Sequence, residues 1–200
     1  MADIKPYPVT VTGDLSDPPG RWVWIFKWLL IIPHLIVLYF LAIASFFATV
    51  YAFFVILFTG KYPRGIFDFN VGVLRWWWRV GFYSYMALGT DKYPPFSLDK
   101  GGYPADLDVE YPEKLSQGLV LVKWWLFIIP QAIIVGIFQG GRNGGLVNIL
   151  AIISGFMLLF TDKYPEDIFK LMVGMDRWSF RVYAYWELMR YEYPPFRFEP

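Results

Sequence analysis

Four sequence blocks occur twice, in the same order, and this duplication limits the folds available to the chain. Lys27-Trp28, followed by Ile32-Pro33-His34, returns as Lys123-Trp124, followed by Ile129-Pro130-Gln131, with one residue inserted. Phe58-Thr59-Gly60-Lys61-Tyr62-Pro63 returns as Phe160-Thr161-Asp162-Lys163-Tyr164-Pro165. Gly72, Arg75, Arg79 and Tyr83 return at a constant offset as Gly174, Arg177, Arg181 and Tyr185, and Tyr93-Pro94-Pro95-Phe96 as Tyr193-Pro194-Pro195-Phe196. The chain is therefore two copies of one unit, 1–100 and 101–200, and the fold must be built from that unit.

The unit is unusually apolar. Hydrophobic residues make up 56% of the chain and charged residues 18%, against roughly 45–50% and 25% in soluble domains. Aromatics reach 22%, and Trp and Tyr concentrate where an apolar body meets a wet boundary. From Trp22 to Phe58 the only formal charge is Lys27. One helix of that length would run about 55 Å and overshoot a hydrocarbon core about 30 Å thick. Two spans, about 22–41 and 43–59, with a turn in 41–47, fit the bilayer better. In the second copy 119–138 and 146–160 flank Gln139-Gly140-Gly141-Arg142-Asn143-Gly144-Gly145, a turn composition. Each copy thus reads as a transmembrane helical hairpin. Pro33 and Pro130 are expected to kink its first helix, and Lys-Tyr-Pro to stop its second.

After each stop, 71–88 and 173–189 read as amphipathic interfacial helices. The repeated Gly, Arg, Arg and Tyr fall on one stripe in a largely apolar setting. Val9–Thr12 and Leu107–Glu110 alternate strictly and 196–199 weakly, which predicts a small β cap where the two halves meet. Of 18 Lys and Arg residues only Arg142 lies at a hairpin tip, so the cap side is expected to be cytoplasmic, with both termini. Two spans per copy relate the copies by a pseudo-twofold along the membrane normal. Met1–Pro6 is polar and followed by Pro-rich chain, so a cleavable signal peptide is not expected.

The chemical inventory is small. No cysteine is present and His34 is the only histidine, which removes thiol chemistry and His/Cys metal sites, and leaves a Ser–His–Asp arrangement only one apolar-embedded candidate. Asp106, Asp108 and Glu110 alternate as strand decoration, and the Gly140–Gly145 cluster lacks the Lys-Ser/Thr of a phosphate loop. No catalytic residue, cofactor or metal is expected; a haem or chlorophyll-type pigment on His34 is the alternative, weighed against a histidine bonded to a carbonyl freed by the kink. A net charge of +1 gives no reason to expect nucleic acid.

What remains is lipid and protein contact. Lys61, Arg64, Arg75, Arg79, Lys163, Arg177 and Arg181 are the candidates for anionic headgroups. For the arginine pairs the competing reading is internal pairing with Asp68, Asp91, Asp176 or Glu187. Tyr62, Trp76, Trp77, Trp78, Tyr83, Tyr164, Trp178 and Tyr185 are the candidate interfacial anchors.

The Lys27-Trp28 and Ile-Pro-His block, Phe58–Gly65, Phe67–Trp76 and Tyr93–Phe96 resemble a prokaryotic membrane family, domain of unknown function 4389. The resemblance implies a multi-pass protein of the bacterial or archaeal inner membrane and supplies no catalytic residues. The second copy departs from the pattern at Gln131, Glu166-Asp167 and Lys170. The expected fold is mainly α, integral membrane: two tandem repeats of a transmembrane hairpin plus an interfacial helix, under a small β cap. The expected role is a non-catalytic scaffold or accessory subunit, contacting lipids and other membrane subunits or itself. The alternatives are a headgroup-binding or bilayer-shaping protein and a cofactor-binding subunit.

Overall fold

In the computed structural model, residues 7–15, 17–140 and 144–199 are described, without the side chains of 124 and 125. Met1–Pro6 and Arg142, used above for the leader and topology readings, lie outside them. The elements are β1 (Val9–Gly13), a 3-10 turn (Val23–Phe26), α1 (Lys27–Leu30), α2 (Ile32–Thr59), α3 (Arg64–Tyr83), β2 (Ala105–Val109), α4 (Gln117–Val122), a π turn (Lys123–Phe127), α5 (Ile128–Gln139), α6 (Leu146–Thr161) and α7 (Glu166–Trp186).

The first correction concerns the hairpin. No turn interrupts 41–47: α2 is one continuous helix of 28 residues, about 42 Å long. In copy 2, α5 and α6 are not a hairpin either. They follow one another along α7. Gln131 near the start of α5 meets Trp178, Gln139 at its end meets Asp176 and Ser179, and Val147, Ala151 and Leu158 of α6 join Met172 and Met175. The copy-to-copy offset rises from 97 at Pro33/Pro130 to 102 at Thr59/Thr161, so five extra residues lie between. The two ends of this stretch lie side by side: a side chain at Gly140 would collide with the Gly144–Gly145 backbone. Each copy has one long apolar helix, intact in copy 1 and interrupted between Gln139 and Leu146 in copy 2. Among the described residues only α2 is long and apolar enough to cross a membrane; α5 and α6 are shorter apolar helices. Deleting 140–144 should therefore fuse α5 to α6 and leave the melting temperature within a few degrees of wild type, whereas deleting the joint of a genuine hairpin would unfold copy 2.

The prolines are also corrected. Pro33 lies in the first turn of α2, after a break at Ile31, where a missing N–H costs nothing. Ahead of Pro130 the extra residue of copy 2 is absorbed in the π turn, the usual way a helix accommodates an insertion.

The long helices end alike. Gly60 and Asp162 take left-handed conformations (φ 69° and 59°), closing each C-terminus. Lys61 and Lys163 then donate their backbone N–H to the hydroxyls of Thr59 and Thr161. Pro63 and Pro165 start α3 and α7, which run back antiparallel to the long helices. These two helices begin earlier than 71 and 173 and are mostly buried, so they form the interior, not an interfacial layer.

The copies meet around a pseudo-twofold axis. β1 pairs antiparallel with β2, and the equivalent residues Val11 and Leu107 are partners in the register. Val9, Val11, Leu107 and Val109 point inward while Thr10 and Thr12 are exposed. The equivalent residues Trp78 of α3 and Phe180 of α7 meet at 5.5 Å. Contacts away from the axis are reciprocal: Tyr62 Oη donates to the Glu187 carbonyl at 3.0 Å, and Tyr164 Oη to the Ala87 carbonyl. α3 and α7 therefore cross the axis antiparallel, with the sheet on one side and the long apolar helices on the other. The expected β cap is present as two strands; 196–199 forms none. Instead the exit segments cross the inner helices at Gly72 and Gly174, where a Cβ would come within 2.7 Å of Leu98 and 2.8 Å of Phe198.

Candidate functional site

The duplicated arginines, the strongest site candidates in the sequence, face the protein interior. Arg75 Nε donates to the Leu107 carbonyl and Nη1 to the Leu98 carbonyl, both at 2.8 Å, beside Asp106 at 3.0 Å and Asp108 at 3.3 Å. Arg177 makes the equivalent bonds, to the carbonyls of Val11 at 3.2 Å and Phe198 at 2.6 Å. Arg79 bonds the carbonyls of Ala105 and Gly101 and pairs with Asp106; Arg181 bonds the carbonyls of Arg197 and Glu199. Arg75, Arg79 and Arg181 are buried and Arg177 partly so. These four guanidinium groups tie the sheet and the exit segments to the inner helices, which removes them as headgroup ligands. The acidic partners of Arg75 and Arg79 are Asp106 and Asp108, and the carboxylate acting on Arg177 and Arg181 is Glu199, not the four named from the sequence. Burial pushes the Arg181 guanidinium down to about 10. Lys61, Arg64 and Lys163 remain exposed at the reversals.

The aromatic candidates divide in the same way. Trp76, Trp78, Tyr83, Trp178, Tyr62 and Tyr185 are buried and Tyr164 partly so; their polar tips bond inside the protein or their rings cover a buried cation. Lys27 Nζ lies 4.6 Å above Tyr83 and Lys123 Nζ 4.2 Å above Tyr185. Only Trp77 keeps the exposure expected of an anchor, joined by Trp22, Trp28 and Trp186, which the motif reading passed over.

His34 is fully buried. Its Nδ1 accepts from Trp76 Nε1 at 3.0 Å, and its ring stacks on Phe96 at 3.9 Å. Gln131 takes the equivalent place and accepts from Trp178 Nε1 at 2.6 Å. An amide substitutes for the imidazole, so the shared role is to satisfy a buried indole rather than to ligate a metal. The bond to Trp76 replaces the expected bond to a freed carbonyl. Among the described residues no group of three or more His, Asp or Glu could hold a metal ion.

A feature that differs between the copies was missed in the sequence. A groove of about 620 Å³ opens between α2, α3 and the end of α7, walled by Phe46, Phe53, Phe54, Trp77 and Trp186. One polar network lies at its edge. Ser45 Oγ donates to Asn70 Oδ1 at 2.9 Å, and Asn70 Nδ2 donates to Thr49 Oγ1 at 3.0 Å and Tyr62 Oη at 3.1 Å. Ser45 Oγ also lies 3.4 Å from Glu187 Oε1, and Glu187 Oε2 is buried without a partner. Burial pushes the Glu187 carboxyl up to about 8. The available sequence signal was its context: an acidic residue between Trp186 and Leu188, closing an apolar helix.

Residues 21–97 match the model of the family described as Domain of unknown function (DUF4389). No curated protein and no solved structure matches the chain.

Proposed function

We propose that this DUF4389-bearing chain is a non-catalytic membrane protein, a scaffold or accessory subunit that lies in one leaflet with its sheet toward the cytoplasm. The observation that carries the reading is the surface of α2. Its buried residues form a narrow stripe (His34, Leu38, Ser45, Ala52 and Ile56), and nearly every other position exposes an apolar side chain. Water does not tolerate a helix of this kind, whereas lipid or another apolar subunit does. The same holds for Ile129, Ile133, Ile149, Ile153 and Phe160 of α5 and α6.

The axis supports the flat orientation. Helices standing upright around it would hold the exposed Thr10 and Thr12, the Asp106–Asp108 segment and two open strand edges at mid-bilayer depth, where lipid cannot satisfy them. With the axis along the membrane normal, the sheet faces water and the long helices sink into the acyl region. Lys61, Arg64 and Lys163, exposed at the reversals, favour a contribution from anionic headgroups as a second reading. Purification in mild detergent tests the scaffold role: stoichiometric partner subunits or a defined homo-oligomer are expected, and a partner-free monomer would contradict it.

A further inference from the structure

The two copies provide an internal control for the groove. Ser45, Thr49, Asn70 and Glu187 of its network correspond to Val147, Ala151, Met172 and Ala87 around copy 2. There the same place is filled: Val147, Ala151 and Met172 pack with Trp24, whose ring comes within 2.8 Å of where a Cβ on Gly155 would stand. The fold is thus built once with an apolar filling and once with a groove and a polar edge. Burying polar groups where apolar ones serve the fold equally well costs stability, so the network has a use other than folding.

Proton accounting defines that use. Ser45 has one proton and gives it to Asn70 Oδ1. Asn70 spends both amide protons on Thr49 and Tyr62, and Tyr62 spends its own on the Glu187 carbonyl. The contact between Glu187 Oε1 and Ser45 Oγ is then made by the carboxyl's proton, in keeping with its raised pKa. One strong acceptor is left over, Glu187 Oε2. Among the described residues no Lys or Arg lines the groove, so it offers no cation to a phosphate or a carboxylate.

We propose that this groove binds a membrane-soluble alcohol or phenol: an apolar chain or ring system against the aromatic walls, its hydroxyl donating to Glu187 Oε2. The site does not depend on the scaffold reading, since a monomer would retain it.

The test is photolabelling in phosphatidylcholine nanodiscs with a diazirine-bearing twelve-carbon alcohol, with the labelled peptides mapped by mass spectrometry. Labels are expected on 46–54 and 183–188, competed by dodecanol and not by dodecanoate or dodecylamine. Glu187→Leu should reduce labelling about tenfold by removing the acceptor. Glu187→Gln should retain it within about threefold, because an amide supplies a donor to Ser45 and an acceptor to the ligand. Introducing all four copy 2 residues, Ser45→Val with Thr49→Ala, Asn70→Met and Glu187→Ala, should abolish labelling in a chain that melts as wild type, since no buried amide is left without partners. Equal competition by all three head groups, stronger competition by the amine, or full labelling of Glu187→Leu would overturn the assignment.

Discussion

Replacing Arg75 by methionine is expected to lower unfolding stability by about 3 kcal/mol while leaving vesicle association per folded molecule unchanged. Arg75 is only 7% exposed, and its guanidinium holds two backbone carbonyls and two aspartates. Methionine can fill its volume and make none of those bonds, so the Leu98 and Leu107 carbonyls lose their arginine donor and Asp106 keeps Arg79 and the Leu107 N–H. Because the Leu107 carbonyl belongs to β2, loosening should begin at the sheet and appear first as faster amide exchange in 105–109. Denaturant titration in detergent, alongside flotation with phosphatidylglycerol vesicles, separates the two roles. Lys61→Ala with Lys163→Ala should give the converse result: stability within about 0.5 kcal/mol of wild type and weaker flotation, by about 1 kcal/mol per lysine. An Arg75→Met variant that melted normally but failed to float would return the arginine to the lipid surface.

The Trp76-Trp77-Trp78 run is expected to respond to alanine in three different ways. Trp78 is fully buried on the axis against Phe82 and Phe180, and its Nε1 donates to the Thr12 carbonyl at 2.8 Å. Removing it opens a cavity where the copies meet and frees β1, at a cost of about 3–5 kcal/mol. Trp76 seals His34 and Phe96 within copy 1; its loss should cost about 2–4 kcal/mol and remain local. Trp77 is 39% exposed at the groove, so Trp77→Ala should barely shift the melting curve and should weaken photolabelling. Thermal unfolding of the three single variants tests the ranking. An equal, small effect at all three positions would restore the reading of the run as an interfacial belt.

Much of the architecture was legible because the sequence repeats itself. The Lys-Tyr-Pro reversal follows from residues that recur in order, and the small β cap from the alternation at Val9–Thr12 and Leu107–Glu110. The twofold was expected from two spans per copy, whereas the structure shows it in the pairing of Val11 with Leu107 and of Trp78 with Phe180. The hairpins were misread because bilayer thickness was applied to a run that need not stand upright. A Gly-rich cluster also has the same composition whether it joins two helices or bulges from one. The rise in offset from 97 to 102 between matched blocks contained the answer: five extra residues can be an insertion into a helix that copy 1 keeps whole.

The site was less legible, and for a physical reason. Residues kept in both copies were weighed as function, yet Arg75/Arg177 and Tyr62/Tyr164 recur because both copies need the same internal bonds; His34 and Gln131 differ, and each accepts from the equivalent indole. Function is better sought where the copies differ under the same backbone, as Ser45, Asn70 and Glu187 do against Val147, Met172 and Ala87. That comparison requires knowing which side chains share a wall, and Ser45 and Glu187 lie 142 positions apart. Periodicity along either helix does not bring them together.

The orientation of the long helices decides the central claim, and a chain with no cysteine of its own is suited to measuring it. Single cysteines at Thr10 on the sheet and at Lys61 and Lys163 at the two reversals, each exposed, can be probed with a membrane-impermeant maleimide in sealed vesicles. A chain lying in one leaflet exposes all three to the same side, while a cysteine at Phe47 on the outer face of α2 stays unreactive. Labelling of Lys61 or Lys163 from the side opposite to Thr10 would mean that the long helices cross the bilayer, and would contradict the account.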